Sequence, residues 1–350
     1  MFISKYFEMK VVGVLMSDAK VRSIGLDYLL NSKRDAVQFK KIDPLINISE
    51  QGQFDAVLHK IPEFLRCDTS TLGRQIVENF TNYVETNPDI ICIDPPHSLK
   101  RLLTRFDQFR LLRAILDALN INNRIFVPNF CILSQNDPTT LLNADISYPI
   151  ICKSLMAHGE DSVHKMAVVF NNSGLDSLTY PVFAQQFIKH TGKVLKLFVI
   201  GDHTCVTEVP SIKNHNKSSD KSPIFFHSHS VSKEGCKSPL SEPCSLSDKQ
   251  SVCTYDDNVL FNLLAAEIRK TLEIDLFGVD LICEAENSTP DPFTKPTRYA
   301  IIDINIFPSY KNVHGFIFHL ENLIRKKLSL PLLSININNN NNNNGSNGVE

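Results

Sequence analysis

The sequence predicts an α/β layer followed by an α+β body, on three observations. Near the start, short apolar runs alternate with longer segments of helical periodicity, the pattern of parallel strands linked by helices. Beyond about residue 125, strand-like runs crowd together with few long helices between them, which favours antiparallel pairing. The 350 residues, at roughly 100–200 per domain, leave room for two or three such units.

In the first layer, VVGVLM (11–16), DAVLHK (55–60) and DIICID (89–94) read as strands that end in polar or turn residues. Residues 69–87 carry Leu72, Ile76, Phe80, Tyr83 and Val84 at helical spacing, with Thr69 or Ser70 as N-cap and Pro88 as terminator. Asp94-Pro95-Pro96 then reads as a domain edge. Residues 107–120 form an amphipathic helix with Phe109, Leu112, Ile115, Leu116 and Leu119 on one side. VPNFCIL, YPIICKSL, MAVVF, VFAQQFI, VLKLFVIG and HTCVTEV follow as strands. Residues 259–271 form a helix, LFGVDLIC and YAIIDINIF a strand pair, and residues 315–328 a closing helix. Residues 214–257, rich in Ser, Lys, Asn and Pro around the apolar patch IFFHSHSV, read as a long surface loop or flap. From Ser334 onward the composition, with seven consecutive asparagines, cannot bury a core.

Composition narrows the function. Basic and acidic residues number 36 and 38, a net charge of −2, and apolar residues make up 43%. These values exclude global disorder, a collagen-like fibre and a protein whose whole surface binds nucleic acid. The start MFISKYFEMK lacks the apolar core of a signal peptide, and no run of about 18 uncharged apolar residues predicts a membrane span. Nine scattered cysteines without a CxxC pair fit a reducing compartment, the cytoplasm or the nucleus. The phosphate-binding P-loop, the protein-kinase motifs, GxSxG, HExxH and GxGxxG are all absent, and glycines number only 13. A nucleotide enzyme on this chain must grip phosphates with side chains.

Several residues could do so. Asp303 and Asn305 share one face of a strand, and Asp280 is a second lone carboxylate in an apolar strand. Three oxygen ligands on adjacent strands suit Mg²⁺; strand-end residues bonded to solvent or backbone are the plain alternative. Lys153 and Lys196 are single charges in apolar runs, placed either to meet a phosphate or to reach solvent from an exposed strand face. AHGEDSVHK, with His158, Gly159 and His164, is either a phosphate-covering loop or an ordinary connection. Lys20, Lys60 and Arg105 lie at strand ends or helix boundaries, where most cations are simply solvated.

Together these motifs resemble the inositol 1,3,4-trisphosphate 5/6-kinase family, also called inositol-tetrakisphosphate 1-kinases. VLHK, LLTRFDQF, PIICKSLMAHG, QQFIKH, VLKLFVIG, VPSIKN, FFHSHSVSK, LFGVDLI and IDINIFPSY carry the resemblance in order. It implies an ATP-grasp fold behind a Rossmann-like N-terminal domain. The expected boundaries are 1–97 for that α/β domain, 98–188 and 189–333 for the two ATP-grasp subdomains, and 334–350 for a disordered tail. ATP would be the co-substrate, held by Arg105, Lys153, the hinge from Gln186 through Phe187 and Ile188 to Lys196, Ser211, Ser228 and Ser232. Asp280, Asp303 and Asn305 would hold two Mg²⁺ ions. Lys20, Lys60, His164, Lys196 and Asn305 would hold the inositol polyphosphate, with His158, Gly159 and His190 as further candidates and Ser309 beside the ring. Lys196, Asp303 and Asn305 would carry catalysis. Ser309 stands where the family has glycine, and the loop from Gly159 to His164 is one residue longer than in animal relatives. The implied activity is phosphorylation of inositol 1,3,4-trisphosphate at the 5- or 6-hydroxyl and of the 3,4,5,6-tetrakisphosphate at the 1-hydroxyl, by a monomer. An ATP-grasp carboxylate–amine ligase and a non-catalytic inositol phosphate or nucleotide binder are the competing readings.

Overall fold

A computed structural model describes residues 8–32, 35–67, 71–158, 161–231, 240–241, 255–285 and 297–334. The expected tail, the caps Thr69 and Ser70, Gly159 and Ser232 lie outside the described residues, apart from Ser334. Strands β1 (Lys10–Leu15), β2 (Val37–Lys41), β3 (Ala56–His59) and β4 (Ile91–Ile93) form a parallel sheet in the order β2-β1-β3-β4. Val12, Val14, Ala56, Val57 and Leu58 are fully buried, as expected of parallel strands covered on both faces. β2 has no continuous apolar run. It turns Val37 and Phe39 inward and exposes Lys40 and Lys41, the pattern of a charged sheet edge. Helix Thr71–Thr86 crosses from β3 to β4 and buries Ile76, Phe80 and Tyr83, whereas Leu72, in its first turn, stays half exposed.

Two further sheets follow, from β5 (Ile125–Phe126), β6 (Phe130–Leu133), β7 (Ile150–Ser154), β8 (Lys165–Val169), β9 (Val182–Gln186), β10 (His190–Ile200), β11 (His203–Pro210), β12 (Ile224–His227), β13 (Leu276–Glu284) and β14 (Tyr299–Ile306). The central sheet runs β12-β8-β7-β9-β6 and the C-terminal sheet β11-β10-β13-β14-β5. Neighbours are antiparallel except the short parallel pair β14–β5. The sheets interleave along the chain. β5 precedes the central sheet yet joins the C-terminal one, and β12 joins the central sheet. Part of the segment expected as a surface loop is therefore an edge strand, because Ile224–His227 hydrogen-bonds to β8.

Helix Arg105–Leu119 begins two residues earlier than its apolar pattern, because Thr104 caps the Asp107 amide. Phe109, Leu112, Ile115 and Leu116 join a core shared by the parallel layer and the C-terminal sheet. The central sheet packs a core of its own around Cys131, Ile150, Cys152, Val169 and Ala184. Among the described residues no helix is long and apolar enough to cross a membrane.

The expected domain edge at Asp94 is a buried seam. The Asp94 carboxylate is 3% exposed and accepts the backbone N–H groups of Asp275 at 2.7 Å and Leu276 at 3.1 Å, where β13 begins. Burial, the largest influence, pushes its pKa up to about 7. Asp94→Asn keeps one acceptor oxygen and turns an amide NH₂ toward the other backbone N–H, a loss of roughly 1–3 kcal/mol. Because the native pKa is raised, the native form of Asp94 binds a proton where the unfolded chain does not. Its contribution is full below its ordinary 3.8 and is lost as pH rises through about 7. Urea unfolding should therefore show the variant's deficit shrinking from about pH 4 to about pH 8; a deficit that stays constant contradicts this account of Asp94.

Candidate active site

A cavity of about 830 Å³ lies between the central and C-terminal sheets and reaches the parallel layer. Every candidate site residue among the described residues lines it. Its floor is one face of β10, β13 and β14, and strand register sets the floor in rows. Lys196 pairs with Asp280, and Asp280 with Asp303. On one side of this charged row stand Val194 and Ile282; on the other, Phe198 pairs with Gly278 and Gly278 with Asn305. The floor thus passes from apolar, through charged, to polar along one face.

The charged row is tightly packed. Lys196 Nζ donates to Asp280 Oδ2 at 2.9 Å, and Arg105 Nε lies 4.0 Å from Asp303 Oδ1. Burial raises the Asp280 carboxyl above its ordinary range, Lys196 pulls it back, and Asp303 adds to the rise. A β-bulge falls between Asp280 and Leu281, leaving Ile302 without a strand partner. The Ile302 carbonyl instead accepts Lys153 Nζ at 2.6 Å, and Gln185 Oε1 accepts it at 2.9 Å. Burial lowers Lys153 to about 8, and Asp303, the next influence, opposes the shift.

Arg105 braces the loop that follows β7. Its guanidinium donates to the carbonyls of Ser154 at 2.9 Å, Val163 at 3.3 Å and Met156. His158, on that loop, is lowered to about 4, chiefly by burial and then by Lys60 and Arg105. It is therefore a neutral hydrogen-bonding group at pH 7.

At the apolar end, Gln186, Phe187 and Ile188 form the crossing from β9 to β10, beside Val194 and Val209. The Gln186 side chain is tied to the Ser147 backbone, and Phe187 and Ile188 line the cavity beside it. His190 sits here too, among the cavity's lining residues. Its buried ring bonds to the Ile188 carbonyl at 3.0 Å and to Ser211 Oγ at 2.7 Å. It fixes the crossing to β11.

At the polar end, Lys20 lies in helix Asp18–Ile24, which follows β1, and Lys60 directly follows β3, on the carboxyl side of the sheet where parallel strands present ligand-binding groups. Lys20 Nζ donates to the carbonyls of Phe307 at 3.1 Å and Pro308 at 2.9 Å, and Lys60 Nζ reaches Phe307 O at 2.8 Å. Burial and the neighbouring Lys60 lower Lys20 to about 6. His59 holds the Lys60 turn: its Nδ1 accepts the Ile61 N–H at 3.3 Å, and Nε2 donates to Asp94 O at 2.7 Å. Ser309 lines this end, and so do Lys311 and Asn312, which sequence reasoning missed. Gln185, the partner of Lys153, was also missed; its signal was a doubled glutamine inside an apolar strand.

The donor set fits magnesium. Two carboxylates and an amide oxygen on neighbouring strands are hard ligands, and Mg²⁺ takes one or two carboxylates with phosphate and water.

Comparison with known proteins agrees with this geometry. Residues 11–99 match the inositol 1,3,4-trisphosphate 5/6-kinase pre-ATP-grasp domain, and residues 119–344 match the ATP-grasp domain of the same kinases. The chain is similar to an inositol-tetrakisphosphate 1-kinase of Xenopus laevis, at 32% identity over 93% of this chain and 81% of that protein. It is also similar to an inositol-tetrakisphosphate 1-kinase 1 of Arabidopsis thaliana, at 26% identity over 88% and 92%. Among solved structures, an ADP complex of N5-carboxyaminoimidazole ribonucleotide synthetase shares the fold, with a TM-score of 0.54 at 12% identity over 93% of this chain and 78% of that one. An ATP complex of D-alanine–D-alanine ligase from Bacillus anthracis does so with a TM-score of 0.51 at 12% identity over 92% and 99%. The chain belongs to the inositol 1,3,4-trisphosphate 5/6-kinase family.

Proposed function

We propose that this protein is an ATP- and Mg²⁺-dependent inositol polyphosphate kinase. Its acceptors are the 5- or 6-hydroxyl of inositol 1,3,4-trisphosphate and the 1-hydroxyl of the 3,4,5,6-tetrakisphosphate. The observation that carries this reading is the graded floor of the cavity, with the Lys196–Asp280–Asp303 row between an apolar end and a two-lysine end.

Each zone has a role. The purine lies on Val194, Val209 and Ile282 and is read by backbone groups from Gln186 to Ile188. Lys153 and Lys196 meet the phosphates as point charges, while Arg105 holds the loop over them. Ser211 and Ser228 add polar contacts along the nucleotide. Asp280, Asp303 and Asn305 hold two Mg²⁺ ions, which supply neutralisation of the charge that develops on the transferred phosphoryl group. Lys20 and Lys60 grip the acceptor, each of whose phosphates carries roughly −1.5 to −2 charges at neutral pH. His158, His164, Asn305 and Ser309 complete that end. No covalent intermediate is required. The acceptor hydroxyl attacks the γ-phosphate in line, and the protein positions the partners and balances charge.

The ligase alternative draws on the solved neighbours, which share the fold alone at 12% identity. A small carboxylic acid needs no paired lysines at the acceptor end, so Lys20 and Lys60 favour the kinase. The scattered cysteines support a cytoplasmic or nuclear location, and we read the protein as a monomer.

With ATP and Mg²⁺, a panel of inositol tris- and tetrakisphosphates resolved by isomer should yield product from the two named acceptors. If ATP binds and no inositol phosphate is phosphorylated, the kinase reading falls. Asp303→Asn should lower kcat by about two orders of magnitude and raise the KM for ATP far less, because the lost charge acts most on the transition state. Near-normal kcat in a strongly destabilised variant would make Asp303 a structural carboxylate.

A further inference from the structure

Lys60 leaves β3 through a turn that a hidden imidazole closes. Its N–H continues the sheet by donating to Leu15 O at 3.0 Å, and its C=O accepts the Glu63 N–H at 3.0 Å. The short helix Ile61–Cys67 starts one residue later, and the first amide of a helix has no partner within it. His59 Nδ1 takes that Ile61 amide, while Nε2 meets the Asp94 carbonyl. An N–H is met by a lone pair and a carbonyl by an N–H. The two bonds together therefore select one tautomer, protonated at Nε2. His59 is 2% exposed and is not among the residues that line the cavity. Its ring packs against Phe80 with centroids 4.4 Å apart. Burial, the largest influence, lowers its pKa to about 4, so the ring keeps this form at neutral pH. The Asp94 carboxylate in turn gathers the start of β13. The imidazole thus stands between the Lys60 turn and the strand that carries Asp280.

We propose that His59 is a positioning residue for acceptor binding that acts through Lys60. Its Nδ1 bond sets the turn that aims the lysine, and its Nε2 bond fixes that turn to the Asp94 seam. The proposal rests on the kinase reading above and deepens its acceptor end. His59 touches no substrate; it supplies the direction in which Lys60 meets a phosphate group. One rigid ring spans both partners, which a single amide side chain does not. An asparagine amide oxygen falls near the place of Nδ1, and a glutamine amide nitrogen near that of Nε2.

That difference supplies the test, by steady-state kinetics with ATP, Mg²⁺ and inositol 1,3,4-trisphosphate. His59→Gln should raise the KM for the inositol phosphate about tenfold or more and leave the KM for ATP unchanged. His59→Asn, which keeps an oxygen for the Ile61 amide, should recover most of that loss. In a double-mutant cycle, His59→Gln should add little to Lys60→Met, because its effect passes through the lysine. An unchanged inositol phosphate KM in a folded His59→Gln, an equal rise in both KM values, or full additivity with Lys60→Met overturns the proposal. If the variants fail to fold, the wild-type protein with isotope-labelled histidines decides. The His59 ring should carry its proton on Nε2, with Nδ1 bare, from about pH 5 to about pH 8; a charged ring or the other tautomer refutes the proposal. A wild-type protein that binds ATP but phosphorylates no inositol phosphate defeats the kinase reading and the acceptor role with it. A working kinase with an unaffected His59→Gln defeats this proposal alone.

Discussion

Asp280 and Asp303 stand opposite each other on neighbouring strands, in a cavity that leaves both only partly exposed. Two such carboxylates repel, and each is costly to desolvate without a compensating charge. Much of the site's architecture answers that constraint. Lys196 meets Asp280 from β10, Arg105 approaches Asp303 from the start of its helix, and Lys153 is held over the bulge at Ile302. A catalytic site for phosphoryl transfer needs the same balance of charges, so the groups that make the fold tolerable are those proposed above to carry the chemistry.

The supporting parts follow from this row. β13, which carries Asp280, begins where Asp94 gathers the backbone of Asp275 and Leu276, so the parallel layer is joined to the strand that bears the carboxylate. The same layer delivers Lys20 and Lys60 to the loop just past β14. Gly278 completes the fit, since a Cβ there would lie 3.3 Å from the Pro308 ring. Above the floor, the central sheet keeps its own core and meets the C-terminal sheet around the ligand cavity.

Much of this was legible in the sequence, and the failures have physical causes. Strands with unbroken apolar runs, such as those of Lys153, Lys196 and Asp280, stood out because burial on both faces leaves a strong pattern and makes a lone charge conspicuous. The same-face relation of Asp303 and Asn305 follows from strand geometry alone. β2 and β12 were hidden because edge strands carry polar residues on their open side, and β12 also lay in a segment whose composition resembles a loop. The bulge at Ile302, the seam at Asp94 and the role of Gln185 depend on contacts between residues distant in the chain, which periodicity does not encode. The partners of His190 were hidden for a related reason. A histidine in a motif shows that an imidazole is used, but its bonds to the Ile188 carbonyl and Ser211 Oγ follow from strand pairing.

The central claim is that the Asp280–Asp303 pair exists to hold magnesium against a nucleotide. It is tested most directly by measuring nucleotide-analogue affinity with and without Mg²⁺, in the wild-type protein and in Asp280→Asn. The account predicts that Mg²⁺ strengthens binding about tenfold or more in the wild type, and that this increment is largely lost in the variant. Metal-free affinity should hold or rise in the variant, because a negative charge beside the triphosphate has been removed. An undiminished Mg²⁺ increment in Asp280→Asn would contradict the account and leave the charged row with a purely structural role.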